Sequence, residues 1–265
     1  MTEFTTLRAR REGGVLHLTL HRPEVRNAMS LAMVLELRQA LAAAETDGMI
    51  RMVVLRGAGG HFCAGADLKD MAMARMRLAE NPDAVTEINQ AFGDLCVAYA
   101  STGLAVVAVV EGTVMGGGFG LACVADVTIA GDNAVFRLPE TSLGVVPAQI
   151  GPFLVERLGY AEAKRLAVTG GRLNAQEALA LRLVHETHAA GALDHAVASV
   201  TGEILQCAPG AIAATKALIA KARHHAPASL VREAAEVFSK AALGPEGTEG
   251  TTAFLAKRKA AWVPQ

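Results

Sequence analysis

Residues 111–140 read Glu111-Gly-Thr-Val-Met-Gly116-Gly-Gly-Phe-Gly120-Leu-Ala-Cys-Val-Ala-Asp126-Val-Thr-Ile-Ala-Gly-Asp-Asn-Ala-Val-Phe-Arg-Leu-Pro-Glu140. An apolar run at residues 104–110 has strand length and feeds this stretch. The glycines come next, then a helical segment at about residues 119–125, a short strand, and a carboxylate after proline. Three consecutive glycines where a strand meets a helix let the backbone approach a ligand and turn N–H groups toward it. The pattern suits an anion or an oxyanion. The alternative is a tight strand-to-helix turn with no ligand.

Outward from this stretch the chain alternates strands and helices. Residues 15–20 alternate apolar and polar side chains as a strand, with a hairpin partner before it turned at Gly13-Gly14. Pro23 ends that run. Leu31, Val34, Leu35, Arg38 and Leu41 are spaced for a helix over residues 31–47, with Ser30 as its cap. Residues 53–55 form a buried strand. A helix-like stretch over residues 71–81 is broken by Asn81-Pro82, and a second helix covers residues 84–100. Helices are expected at residues 153–158, 161–169 and 175–181, the last capped by Asn174, with a short strand at residues 183–186. Strand-helix alternation of this kind indicates a sheet covered by helices. Beyond residue 193 the chain reads as helix, with alanine-rich segments at residues 208–221 and 229–242. The expected division is a core over residues 1–193 and a helical region over residues 194–265 that packs on a neighbouring subunit.

Composition narrows the function classes. The 265 residues are 52% hydrophobic and 19% charged, enough for a large buried core. A net charge of −1 argues against a nucleic-acid binder. No apolar run reaches the length of a membrane span. The first eleven residues lack the apolar core of a signal peptide, so cytoplasmic localisation is expected. The 4 cysteines (Cys63, Cys96, Cys123, Cys207) are widely spaced and read as buried thiols of a reducing compartment. The 8 histidines show no metal spacing, and no metal site is expected. Glu111, Asp70 and Asp126 read as structural or exposed carboxylates.

An ordered series of motifs carries a resemblance. Its pieces are Arg22-Pro-Glu-Val-Arg-Asn-Ala-Met29, Phe62-Cys-Ala-Gly-Ala-Asp-Leu68, Gly116-Gly-Gly118 with Ala125-Asp126, and Phe136-Arg-Leu-Pro-Glu140. Leu143-Gly144, Leu173-Asn-Ala-Gln-Glu-Ala178, Leu181-Arg-Leu-Val184, Glu249-Gly250 and Phe254-Leu-Ala-Lys-Arg258 follow in register. Together they resemble the enoyl-CoA hydratase/isomerase (crotonase) superfamily over nearly the whole chain. The motif is nearest the 3-methylglutaconyl-CoA and isohexenylglutaconyl-CoA hydratase-like branch. The resemblance implies an α/β fold, a ClpP/crotonase-like spiral of ββα repeats with a helical C-terminal trimerisation region. It also implies a homo-oligomer, either a trimer or a dimer of trimers. The expected partner is an acyl-CoA thioester, with neither nucleic acid nor membrane, and no cofactor beyond the Coenzyme A of the substrate.

The resemblance also implies site residues. The N–H groups of Ala66 and Gly117 match an oxyanion hole, where rigid donors stabilise enolate charge on the thioester oxygen. Glu140 matches an acid/base glutamate. Two-glutamate hydratases carry a second glutamate where this chain has Gly120, so Gln149 becomes the candidate for positioning water, against a plain loop role. Coenzyme A is expected along Arg26, Ala28, Ala64, Ala66, Asp67, Leu68 and Lys69, and along Gly116, Gly117 and Pro139. Arg26 and Lys69 are the candidate phosphate partners; otherwise they are solvated charges. Phe254 and Lys257 are expected at the nucleotide of an adjacent subunit. Three readings stay open: a hydratase, an isomerase using Glu140 alone, and an acyl-CoA-binding scaffold without activity.

Overall fold

A computed structural model describes residues 4–264. In chain order its elements are β1 (Leu7–Glu12), β2 (Val15–Leu20), α1 (Leu31–Asp47), β3 (Met52–Gly57), α2 (Leu68–Met76), α3 (Ala84–Ser101), β4 (Ala105–Val110), β5 (Thr113–Met115) and α4 (Gly117–Val124). Then come β6 (Val127–Gly131), β7 (Val135–Arg137), α5 (Gly151–Leu158), α6 (Tyr160–Thr169), β8 (Arg172–Asn174), α7 (Ala175–Ala180) and β9 (Glu186–His188). Four helices close the chain: α8 (Leu193–Gln206), α9 (Pro209–Ala222), α10 (Pro227–Leu243) and α11 (Pro245–Leu255).

The larger sheet has the order β1-β2-β3-β4-β6-β9; the β1–β2 hairpin is antiparallel and every other pair parallel. Its central strands bury both faces, which is why they read as unbroken apolar runs. Val53, Leu55, Val106, Ala108 and Val110 point into the main core with Leu37 and Leu41 of α1 and Leu95 of α3. Their neighbours Met52, Val54, Ala105, Val107 and Val109 point the other way, onto Leu193, Ala196 and Val200 of α8. The helical region thus begins with a helix that closes the second sheet face of its own chain. In contrast, α9 and α10 bury no residue.

The smaller sheet, β5-β7-β8, corrects the reading of the glycine stretch. The run at residues 104–110 does not meet the glycines directly. Gly112 turns the chain at φ +53, and β5 leaves the large sheet to pair with β7 before Gly116. A three-residue strand carries too little periodicity to be read from sequence.

Other boundaries shift for local reasons. Asp67 caps α2 through Lys69 N at 2.8 Å, so that helix starts at Leu68, before Met71, and ends at Met76. Leu183 and Val184 are buried in the turn after α7, and β9 begins only at Glu186. α1 has the expected ends, and Ser30 Oγ accepts from Met33 N. Its buried face, however, is Met33, Val34, Leu37, Ala40, Leu41 and Ala44, while Leu35 is exposed. Cys63, Cys96 and Cys123 are buried, but Cys207 is exposed at the α8–α9 junction. Among the described residues no single helix is long and apolar enough to cross a membrane.

Candidate active site

The site forms where the ends of β3 and β4 hand the chain to two loops. The first loop runs parallel to its neighbours. Cys63 N donates to Thr113 O at 3.0 Å, and Met115 N donates to Cys63 O at 2.9 Å. Next along the loop, Met29 N donates to Gly65 O at 2.7 Å and Asp67 N donates to Met29 O at 3.0 Å. These two bonds flank Ala66, so the N–H of Ala66 faces away from Met29. Among the described residues it has no acceptor. Ala66 is exposed.

The second loop presses against the first. A Cβ on Gly65 would sit 3.3 Å from Met115 O and 3.7 Å from Gly116 Cα. Gly116 has φ +48 and ψ −117, a backbone open only to glycine, and it turns β5 into α4. The first amide after it, Gly117 N–H, opens the helix and has no acceptor among the described residues. Two unpaired N–H groups therefore come from loops in backbone contact, one of them at the positive end of a helix. Such a pair can receive an oxygen that gains negative charge.

Glu140 begins a short 3-10 turn, Glu140–Leu143, after Pro139. Its Oε1 lies 2.9 Å from where a Cβ of Gly116 would be, so a side chain at 116 would have to displace the carboxylate. Its Oε2 is buried without a hydrogen-bond partner. Burial pushes the Glu140 carboxyl above its ordinary value, only partly offset by its own backbone amide. A carboxyl so placed is suited to take and give a proton.

A third wall comes from α3 and the loop before α5. Phe92 Cζ lies 3.2 Å from a Cβ built on Gly117 and 3.6 Å from one on Gly120. Ile150 Cγ2 lies 2.2 Å from a Cβ on Gly120. Gly116 and Gly120 are one helical turn apart, about 5.4 Å. Along this face of α4, Glu140 covers the first glycine and Ile150 the second. Gln149 folds onto α3, where its Nε2 donates to Asn89 Oδ1 at 2.8 Å. Its Oε1 is 2.2 Å from where a Cβ of Gly93 would be.

The structure thus brings together Ala66, Gly116, Gly117, Pro139 and Glu140, with Gln149 beside Ile150 at their edge. Arg26, Leu68 and Lys69 are exposed around the first loop, with Ala28 and Ala64 partly buried. Arg26 O accepts from Ala64 N at 3.0 Å. Asp67 is committed elsewhere: its Oδ2 pairs with Arg22 Nη1 at 2.7 Å, and it is buried. Burial alone would raise the Asp67 carboxyl, but the Arg22 hydrogen bond and the Lys69 amide outweigh it and hold the group below its ordinary value. Phe254 and Lys257 lie at the end of α11. That helix packs on α10, and its Gly250 meets Trp262, whose carbonyl accepts from Arg51 at the start of β3, the opposite end of the sheet from Glu140.

Glu111 pairs with Arg56 at 2.8 Å, Asp70 Oδ2 accepts from Leu31 N at 2.6 Å, and Asp126 Oδ2 accepts from Val106 N at 2.7 Å; all three serve the scaffold. Sequence reading missed Phe92, Ile150, Asn89 and Gly93. Nothing within α3 marks Phe92 and Gly93 as different from core positions, because their significance lies in contacts from loops distant in sequence.

Comparison with known proteins identifies the family. Residues 10–265 match the enoyl-CoA hydratase/isomerase family. The chain is 30% identical over 259 residues to the 2,3-dehydroadipyl-CoA hydratase of Escherichia coli strain K12, covering 97% of each. The fold superposes on an enoyl-CoA hydratase/isomerase from Marinobacter aquaeolei with a TM-score of 0.93 and 48% identity, covering 98% of this chain and 99% of the other. With AtuE of Pseudomonas aeruginosa the TM-score is 0.94 and the identity 50%, over 98% and 100% of the two chains. The fold is the crotonase fold of these enzymes, mixed α/β with a helical C-terminal region. The chain belongs to the enoyl-CoA hydratase/isomerase family, and it is an enzyme of the hydro-lyase type whose substrate is an acyl-CoA thioester.

Proposed function

We propose that the enzyme adds water across the α,β-double bond of a branched, glutaconyl-type enoyl-CoA, with Glu140 as its single acid/base. The N–H groups of Ala66 and Gly117 bind the thioester oxygen and polarise the conjugated double bond. Water attacks the β-carbon while the π electrons move to the thioester oxygen as an enolate. Glu140 takes the proton that the water gives up and delivers it to the α-carbon as the enolate collapses. One water is added and Glu140 ends as it began. Gln149 holds the water.

The observation that carries this reading is the Glu140 carboxyl, buried with one oxygen unpartnered, against the loop that supplies Gly117 N–H. The branched substrate rests on the likeness of residues 116–121 and 139–153 to the glutaconyl-type hydratases. It is also compatible with exposed Leu143, Val145 and Val146 just after Glu140.

The proposed assembly is a homotrimer or a dimer of trimers, in the cytoplasm, with no cofactor beyond the substrate's Coenzyme A. Exposed Phe238, Leu243, Phe254 and Leu255 on α10 and α11 support subunit contacts there. In this assembly Phe254 and Lys257 would meet a neighbour's nucleotide, and Arg26 and Lys69 the phosphates of their own.

One observation favours a second reading, a Δ3,Δ2-enoyl-CoA isomerase. Ile150 fills the space beside Gly120, so no second carboxylate stands there. Glu140 alone could carry a proton between two carbons. Incubation with 3-methylglutaconyl-CoA, isohexenylglutaconyl-CoA, crotonyl-CoA and a 3-enoyl-CoA decides. Gain of one water on the branched substrates supports the proposal. Double-bond migration without mass change supports the isomerase, and binding without turnover reduces the protein to a scaffold.

A further inference from the structure

Asn89, Phe92 and Gly93 share one face of α3, at spacings of three and four residues. That face grips the loop that follows Glu140. Phe92 rests on α4, while Asn89 and Gly93 hold the Gln149 side chain: Nε2 donates to Asn89 Oδ1 at 2.8 Å, and Oε1 fills the notch over Gly93. The notch exists only because residue 93 has no side chain. A methyl there would stand 2.2 Å from Oε1 and 2.7 Å from Cδ of Gln149. One of the two Nε2–H groups of Gln149 is committed to Asn89, which fixes how the amide is turned; Oε1 and the second Nε2–H have no partner among the described residues. Its neighbour Ile150 lies against Gly120, one helical turn from the Gly116 that Glu140 covers.

We infer that Asn89 and Gly93 are positioning residues for the water-adding step, fixing where the Gln149 amide stands and how it is turned toward water. The inference rests on the hydratase reading above. It assigns a task to α3 that is separate from proton transfer by Glu140 and from the Ala66 and Gly117 donors.

The test uses the full-length protein as wild type, Asn89→Ala, Asn89→Asp, Gly93→Ala, Gln149→Ala and the Gly93→Ala/Gln149→Ala double variant. Hydration of crotonyl-CoA and 3-methylglutaconyl-CoA is followed alongside exchange of the α-proton of butyryl-CoA in deuterated water. The exchange needs Glu140 and the oxyanion donors but no added water. Folding is monitored by thermal melting, and alanine suits a helix interior better than glycine. Hydration kcat should fall about tenfold or more in Gly93→Ala and Gln149→Ala, and about threefold in Asn89→Ala, the scale of one lost hydrogen bond. Asn89→Asp, which keeps the acceptor, should stay near wild type. KM and α-proton exchange should stay within about twofold throughout, and the double variant should be no worse than either single.

Wild-type hydration in Gly93→Ala, or exchange that falls in parallel with hydration, would overturn the inference. So would independent, multiplying losses in the double variant. A wild type that exchanges the α-proton yet hydrates neither probe would overturn the hydratase reading itself, and this inference with it; the wild-type arm makes the two failures distinct.

Discussion

Ile150 occupies the side-chain space of Gly120: a Cβ on residue 120 would lie 2.2 Å from Ile150 Cγ2. The pair leaves an apolar surface, completed by Phe92, one turn along α4 from the Glu140 carboxyl. Gly120→Ala should therefore strain the packing between α4 and the loop before α5, costing about 1–3 kcal/mol, the usual scale of overpacking. In an Ile150→Ala background the added methyl has room, and its extra cost should vanish. Thermal or urea melts of the four proteins measure the coupling. Additive costs would mean that the two residues do not share this space.

Glu140 gives a pH signature. Its carboxyl is raised by burial, so the folded protein holds that proton more tightly than the unfolded chain does. The resulting stability is full below the unfolded value of about 4.3 and is lost as pH rises through the folded value. Glu140→Gln removes this loss. The melting temperature of the variant minus that of wild type should grow as pH rises from about 4 toward neutrality. Activity should fall about 10²–10⁴-fold, the range for loss of a general acid/base. A difference in melting temperature that is flat with pH would mean that the carboxyl is not held in a desolvated site.

Asp67 has the opposite sign. Its buried ion pair with Arg22 and its bond from Lys69 N keep the loop of Ala66 in place. Asp67→Ala should cost about 1.5–3 kcal/mol, as for a hydrogen bond to a charged group. The Asp67 contribution is present above an unfolded value of about 3.9 and disappears as pH falls through the lower folded value. The stability gap between wild type and Asp67→Ala should therefore close in acid. A gap that stays constant down to low pH would remove the charge from the account.

Much of this architecture was legible because it is local. The Ser30 cap, the apolar run of β4 and the glycines before α4 each carry their signal within a few residues. What was not legible depends on pairing across the chain. β5, β7 and β8 are three residues each and become a sheet only by meeting one another. Leu35 has helical spacing, yet it faces solvent because the sheet lies under Met33 and Leu37. Asp67 sits inside a motif that resembles a ligand-binding loop, but the partner that holds it is Arg22, whose role no short pattern shows. The absence of a carboxylate at Gly120 could be read directly. That Ile150 and Phe92 close the space it leaves required the fold.

In the proposed reaction Glu140 alone moves the proton while water adds. This is tested most directly by incubating wild type and Glu140→Gln with 3-methylglutaconyl-CoA in deuterated water and reading product mass and label position. Wild-type product should gain one water and one deuterium at the α-carbon, and Glu140→Gln should yield neither. Unchanged substrate mass apart from deuterium, with the double bond moved, would contradict it, as would full hydration by Glu140→Gln.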